Sequence, residues 1–534
     1  MKNDEKSNKV LIIGLDGGTW KVLKPMMDNG IMPNLEKLVN EGASGILKST
    51  IPPVTAPAWT SFQTGVNPGK HGIFDFQTFN PQTRQSTIVN AKSIPLKTIW
   101  DIASEAGKKV ITINVPLTYP PKEDENRITI GCMLSPKEDP SLIYPKELFD
   151  TCIKNIGYEI TGGPLERRTS MKLETFIQKH IQVETKRFEV AMHLMNEFPW
   201  DLFMLHIQSS DGIQHCFYPY LDPLCPDFDG QKHKVISKFY RTVDDHIGRL
   251  LELIDENVTV IIVSDHGFRP LRKYINLNTW LRNEGWLSIS SLSMLARFIE
   301  AVRKYDVLRL RKRISGLFLK SFFGLRKMAT RANNQSIDWN RTKAFMPNGI
   351  IFGAVFINDK VESELLRKEI TEGLYELTDV ETGEKPIKQI YCKEEIYSGP
   401  YMHLLPDLIV ELAPGYSVGI PLVATKKVIR RVKYPYDLVG THDLNGIIVV
   451  SGVGVKAGTE IKANIIDIPP TILALLGVGV PEYMDGCVLK EPFGDDLNVR
   501  IGKASHLLRP GQTGKMTLED QEEVRKRLSD LGYL

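Results

Sequence analysis

A chain of 534 residues can bury a large core, and it has room for roughly two to four domains or for one large α/β domain carrying insertions. Its 42% hydrophobic and 25% charged content is that of an ordinary soluble globular protein, and a formal net charge of +3 is too small to imply a nucleic-acid partner. Six scattered cysteines without a C-x-x-C pair argue against a disulfide framework or a zinc ribbon and predict a reducing compartment.

The polar start, MKNDEKSNKV, has no apolar signal-type segment, and no run reaches membrane-spanning length, so a cytoplasmic location is expected. Val10 to Leu15 (VLIIGL) is a short apolar run that stops at Asp16, Gly17 and Gly18, the pattern of a strand buried on both faces. A helix is predicted from Pro33 to Glu41, closed by Gly42. After the turn-forming pair Pro52 and Pro53, residues Ala56 to Phe62 read as a helix ending before Gly65, which makes Thr55 a candidate N-cap. Further strands are predicted at Lys109 to Val115, Leu202 to Ile207 and Val258 to Val263, with a helical stretch from Ser170 to Asn196 between them. This alternation predicts a mainly parallel sheet with helices on both faces.

Polar residues follow these strands. LFMLHI runs into QSSDGIQH, where Asp211 and His215 would share one helical face. VTVIIV runs into SDHGF with Asp265 and His266, and VGTH places His442 just before the apolar run Ile447 to Val450. Ligands in open α/β sheets bind beyond the carboxyl ends of strands, and three strands here lead into an aspartate. Three aspartates and three histidines divide into two cation sites of mixed imidazole and carboxylate character, Asp211, His215 and His442 in one, Asp16, Asp265, His266 and the Thr55 oxygen in the other. Two cations about 4 Å apart can clamp an in-line displacement at phosphorus, with Thr55 ionised as the nucleophile.

The set IIGLDGG, PPVTAPAWTSFQTGVNPGKHGI, SSDGIQH, VSDHGF and GTHDLNG resembles the type I phosphodiesterase/nucleotide pyrophosphatase branch of the alkaline phosphatase superfamily, and within it the prokaryotic predicted phosphohydrolase/phosphomutase proteins, which share a tail segment similar to Ile465 to Gly486. The resemblance implies the superfamily α/β fold, two divalent ions with zinc first and manganese second, and a threonine nucleophile forming a phosphothreonine intermediate. It matches Asp16, Thr55, Asp265 and His266 to one metal and Asp211, His215 and His442 to the other, with a phosphate ester or nucleotide as substrate. Phosphomonoesterase, phosphomutase and phosphonate hydrolase are alternatives on the same fold. A lipid- or partner-binding protein without turnover is the non-enzymatic alternative. Threonine weighs against the mutase, because phosphoglycerate mutases of the superfamily use serine.

The chain departs from this branch at Phe76, where nucleotide pyrophosphatases typically carry an asparagine that holds a phosphoryl oxygen. The expected replacements are the backbone N–H near Ala56 or the side chains of Lys70 or Gln77. The expected organisation is a catalytic core of residues 1–287 and 435–495, a basic amphipathic helical insertion at 288–335, a small α+β cap at 336–434 and a C-terminal tail with a charged helix at 496–534. Ser291 to Arg331 carries 11 Arg and Lys residues among apolar positions. It is expected to pack as a lid, with contact to an anionic membrane as the alternative.

Overall fold

The computed structural model describes residues 9–289, 337–347, 352–358, 363–419, 427–494, 497, 499–502 and 516–533. Nearly the whole basic insertion, including all of Ser291 to Arg331, lies outside them.

A nine-stranded sheet organises the chain. Its order is Glu460–Asn464, Ala43–Lys48, Asn445–Ser451, Val258–Val263, Lys9–Leu15, Leu202–Ile207, Val110–Ile113, Arg127–Ile130 and Ile143–Tyr144. Only Asn445–Ser451 and Ile143–Tyr144 run against the rest. The fold is therefore the mainly parallel α/β architecture expected of an alkaline-phosphatase-like protein. The central strands Lys9–Leu15, Leu202–Ile207 and Val258–Val263 are almost wholly buried, which explains their uninterrupted apolar sequences. Their register is level, Ile13 lying beside both Leu205 and Ile262, so the chain leaves all three at one edge of the sheet.

Helices cover both faces. Pro33–Glu41, Leu173–Glu197 and Gly230–Leu251 pack on one side, where the largest apolar cluster collects Leu11, Ile13, Phe188 and Phe239. Thr55–Thr64 and Ile468–Leu475 pack on the other with Trp59, Phe62, Trp100 and Ile472. Odd and even positions of a single strand thus feed different cores, as the two-residue side-chain period requires.

Two smaller sheets complete the site's surroundings. Gly267–Ile275 continues directly from His266 and pairs antiparallel with Gly440–Asp443, placing Phe268 opposite His442. Ala344–Phe345, Gly353–Ile357, Leu408–Leu412 and Ile387–Cys392 form an antiparallel sheet joined by helix Ser363–Glu376. Its apolar side shares a core with Val54, Phe74 and Phe79. Tyr397 reaches from this unit to the turn before Thr55, donating its O–H to the Ile51 carbonyl at 2.6 Å and accepting the Ile51 N–H at 2.7 Å.

Gly45 sits where strand Ala43–Lys48 is flanked on both sides, opposite Ile448 and Ile461. A Cβ there would lie 1.9 Å from the Ile461 carbonyl oxygen. Gly45→Ala should destabilise the protein by about 1–3 kcal/mol through this overpacking, read as a lower midpoint in urea unfolding. An unchanged midpoint would mean that the outer strands separate without cost.

Candidate functional site

The three level strands deliver the three aspartates. Asp16 follows Leu15 directly and Asp265 follows Ser264 one residue beyond Val263, while Asp211 stands in the first turn of helix Ser209–Phe217. That helix carries His215 one turn later, on the same face. Its start is anchored from below by Glu184, whose carboxylate accepts the Ser209 N–H at 2.9 Å and pairs with the buried Arg187 at 2.6 Å. A carboxylate at a helix N-terminus also complements the helix dipole.

Thr55 differs from expectation. Val54, extended at φ −120° and ψ 140°, is the N-cap, and Thr55 is the first residue of helix Thr55–Thr64. Its side chain makes no cap; the hydroxyl instead lies 3.3 Å from Nε2 of His266. Gly65, at φ 70°, ends the helix in the left-handed conformation that glycine accepts readily.

The structure brings all seven polar positions together. Oδ1 of Asp211 lies 3.5 Å from Nε2 of His215 and 3.3 Å from Nε2 of His442, and the two imidazole nitrogens are 3.0 Å apart. Nε2 of His266 lies 3.2 Å from Oδ2 of Asp265 and 3.6 Å from Oδ1 of Asp16. Tetrahedral ligands at 2.0–2.1 Å from a zinc ion would be spaced by roughly 3.3 Å, so both triangles have the size of a ligand set. The ligand atoms of Asp211, His266 and His442 also fall within 4.8 Å of one another. His266 stacks on His442 with ring centroids 3.6 Å apart, forming the wall common to both clusters.

The surroundings orient each group toward this space. The Nδ1 atoms of His215, His266 and His442 lie 3.0, 3.1 and 2.8 Å from the carbonyl oxygens of Gly440, Gly267 and Pro53. Nδ1–H donation to these carbonyls orients each ring so that its Nε2 faces the aspartates. Gly17 N–H donates to Oδ1 of Asp265 at 3.2 Å. Both oxygens of Asp16, Oδ1 of Asp211 and Oδ2 of Asp265 are buried and accept no hydrogen bond. Buried carboxylate oxygens are rarely left unpaired, and a cation fits this donor set.

Electrostatics agree with that reading. Burial pushes Asp16 well above the usual carboxylate range, reinforced by the charges of Asp265 and Asp211. Asp265 is pushed up to about 7, chiefly by burial. Burial acts the same way on Asp211, but His215 and His442 outweigh it and hold that carboxyl below its ordinary value. Burial drives His266 well below its ordinary value, so it stands as a neutral imidazole. No member of the set exceeds 9% exposure, and His442 and His215 are the most open, so solvent approaches from their side.

The proposed oxyanion donors have varied fates. Ala56 follows Thr55 in the helix's first turn, where its N–H has no intrahelical acceptor. Lys70 is engaged by Asp485 and by the Tyr483 carbonyl at 3.1 Å. Gln77 is buried in strand Gln77–Asn80 and accepts from Arg525 at 3.1 Å.

Three contributors were not anticipated. His206, the fifth residue of LFMLHI, places Nε2 3.1 Å from Oδ2 of Asp16, and Asn114 lies 3.3 Å from its Nδ1. Burial takes His206 down to about 3, so it is neutral there. An alternating reading of an all-buried strand gives no hint of such a role. The third is Tyr533, whose O–H donates to Oδ2 of Asp211 at 2.9 Å and whose ring lies against Phe76 at 4.7 Å.

The mainly parallel sheet, with carboxylates and imidazoles gathered at its carboxyl edge, has the alkaline-phosphatase-like α/β architecture. The chain belongs to the type I phosphodiesterase / nucleotide pyrophosphatase family, which matches residues 10–420. It is accordingly a phosphodiesterase or phosphohydrolase of a metal-dependent family. Among solved structures it is similar to phosphonoacetate hydrolase from Sinorhizobium meliloti 1021 in complex with phosphonoformate, with TM-score 0.58, 15% identity, and coverage of 88% of this chain and 96% of that one. It is also similar to human ectonucleotide pyrophosphatase / phosphodiesterase 5, with TM-score 0.49, 15% identity, and coverage of 92% and 100%. No curated protein matches the chain.

The Asp265 shift carries a sign. In the metal-stripped protein, a raised carboxyl contributes stability that is present below the ordinary carboxylate range and lost as pH rises through about 7. A cation must displace that proton below about 7 but not above it. His442 acts in the same direction: burial opposes its proton, yet Asp211 holds it above the ordinary value. The rise in Tm produced by a fixed Zn2+ concentration should be largest near about pH 8 and shrink toward about pH 6. An increment constant over that range would remove Asp265 from the ligand set.

Proposed function

We propose that the protein is a two-cation phosphodiester hydrolase with Thr55 as nucleophile, acting on a phosphate ester or nucleotide-type small molecule. The observation that carries this reading is the set of four buried, unpaired carboxylate oxygens facing three imidazole Nε2 atoms, with the Thr55 hydroxyl among them. Asp16, Asp265, His266 and Thr55 would hold one divalent ion and Asp211, His215 and His442 the other, with zinc favoured by the donor types and manganese as the alternative. Bound there, the pair supplies Lewis acidity, lowering the pKa of the Thr55 alcohol and balancing the phosphoryl charge.

The chain's own groups supply the geometry. Thr55 sits on the first turn of a buried helix whose free N–H groups, including that of Ala56, face the developing oxyanion. Its Oγ1 gives up its proton to solvent and forms a bond to phosphorus as the bond to the leaving oxygen breaks, and that oxygen departs with the electron pair and takes up a proton from solvent. Water then attacks the phosphothreonine, returning Thr55 as an alcohol and releasing the phosphate product. Phe76 offers no polar atom to a phosphoryl oxygen, so the backbone of the helix turn carries that task.

The test pairs rate with composition. Bis(p-nitrophenyl) phosphate, p-nitrophenyl phosphate and phosphonoacetate should be compared on Zn2+-loaded protein, with the diester turned over fastest. Thr55→Ala should lower diester turnover by about 10^3-fold or more while keeping two metals per chain by elemental analysis, because six ligands remain. A mutant as fast as the wild type would remove the covalent step, and a preference for phosphonoacetate would move the assignment to carbon–phosphorus cleavage.

A further inference from the structure

The charged helix at the end of the chain had no chemistry in the sequence, yet its last residues enter the candidate site. Helix Leu518–Asp530 is capped by Thr517, which accepts the Asp520 N–H at 3.1 Å, and it buries Val524 and Leu528 against the main core. Arg527 grips the loop after strand Arg127–Ile130, donating to the carbonyls of Ser135 and, at 3.2 Å, Pro136. The chain then turns at Gly532, whose φ of 86° is open to glycine at little cost, and the Tyr533 N–H closes the turn on the Leu528 carbonyl at 2.9 Å. This turn directs the phenol inward, where Tyr533 is 1% exposed.

The contact it makes is specific. The two oxygens of Asp211 have different partners: Oδ1 faces His215 and His442, and Oδ2 accepts the Tyr533 O–H at 2.9 Å. Oδ2 is thus held by a neutral O–H donor from outside the cluster, while Oδ1 stays buried and directed at the imidazoles. Phe76 supplies the apolar surface against which the tyrosine ring packs. A small cavity lined by His180, Arg187, Gln208 and Tyr533 lies beside Asp211, so the Tyr533 hydroxyl is the polar group that fixes Oδ2 on that side.

We propose that Tyr533 is a positioning residue for the cation site of Asp211, His215 and His442: its hydroxyl holds Oδ2 of Asp211, keeps Oδ1 turned to the histidines, and thereby couples docking of the C-terminal helix to metal affinity at that site. The inference rests on the two-cation reading above. Partners that orient a metal ligand typically contribute 10–100-fold in affinity when removed, and a single phenol-to-phenyl change isolates the hydrogen bond from the packing of the ring.

The experiment is a Zn2+ titration of the metal-stripped full-length chain against a chromophoric chelator, comparing wild type with Tyr533→Phe. Wild type should bind two ions. The variant should keep one site at wild-type affinity and weaken the other by about 10–100-fold, with an unchanged far-ultraviolet spectrum. A chain shortened by its last three residues should show the same selective loss, which keeps the proposal testable should the substituted protein fold poorly. Two sites of wild-type affinity in both variants would overturn the positioning role while leaving the two-cation reading standing. Faster turnover with unchanged Zn2+ affinity would overturn it in favour of a plug, and a wild type that binds no Zn2+ would overturn both readings.

Discussion

Three carboxylates buried within reach of one another are the constraint around which the structure is arranged. Removing an ionised carboxylate from water costs several kcal/mol even after relaxation, and a second and third of like charge raise that cost. The protein answers in part with the Gly17 N–H on Asp265 and the Tyr533 O–H on Asp211, yet four carboxylate oxygens keep no donor. Their surroundings are rigid: Asp16 and Asp265 leave central strands, and Asp211 stands on a helix anchored by the Glu184 and Arg187 pair. The arrangement cannot relax by turning a carboxylate to solvent. Counter-charge from a bound cation is what such a donor set fits.

The parallel sheet makes this congregation possible. Adjacent parallel strands end at one edge, so residues far apart in sequence meet there without any local signal joining them. His442 arrives by a different route, since the strand that follows it runs antiparallel to Val258–Val263 and the chain therefore enters the sheet from the same edge. The short ladder between Gly267–Ile275 and Gly440–Asp443 then fixes His442 beside His266. A sheet parallel throughout would have brought the His442 segment in at the opposite edge.

Much of this was legible in the sequence because it depends on local pattern. Leu202 to Ile207 and Val258 to Val263 are strands over the residues their apolar runs predict, and Pro33 to Glu41 is a helix bounded by its proline and its glycine. Asp211 and His215 share a helical face as their spacing requires. Thr55 shows the limit of the local view. A threonine before a helical run reads as a cap, but Val54 takes the extended conformation and His266, 211 residues away, engages the hydroxyl. His206 was hidden for another reason: a buried strand that feeds two cores has no polar face against which a histidine would stand out.

The C-terminal helix marks the same limit more sharply and shows where the site's boundary lies. Its charged sequence describes a solvated surface helix, and most of its residues behave as one. The residues that matter are Gly532 and Tyr533, a turn and a phenol beyond the helix's last regular position, and their partner lies 322 residues away. Phe76 belongs to the same arrangement. At the position where the resemblance leads one to expect an asparagine, an apolar ring instead forms one side of the slot that receives Tyr533. The four-stranded antiparallel unit makes a comparable contact through Tyr397 on the turn before Thr55. Two tyrosines from outside the central sheet thus touch the two halves of the cluster, one at the turn that leads to Thr55 and one on Asp211. The seven residues recognisable from sequence are held in place by groups that only the folded chain brings to them.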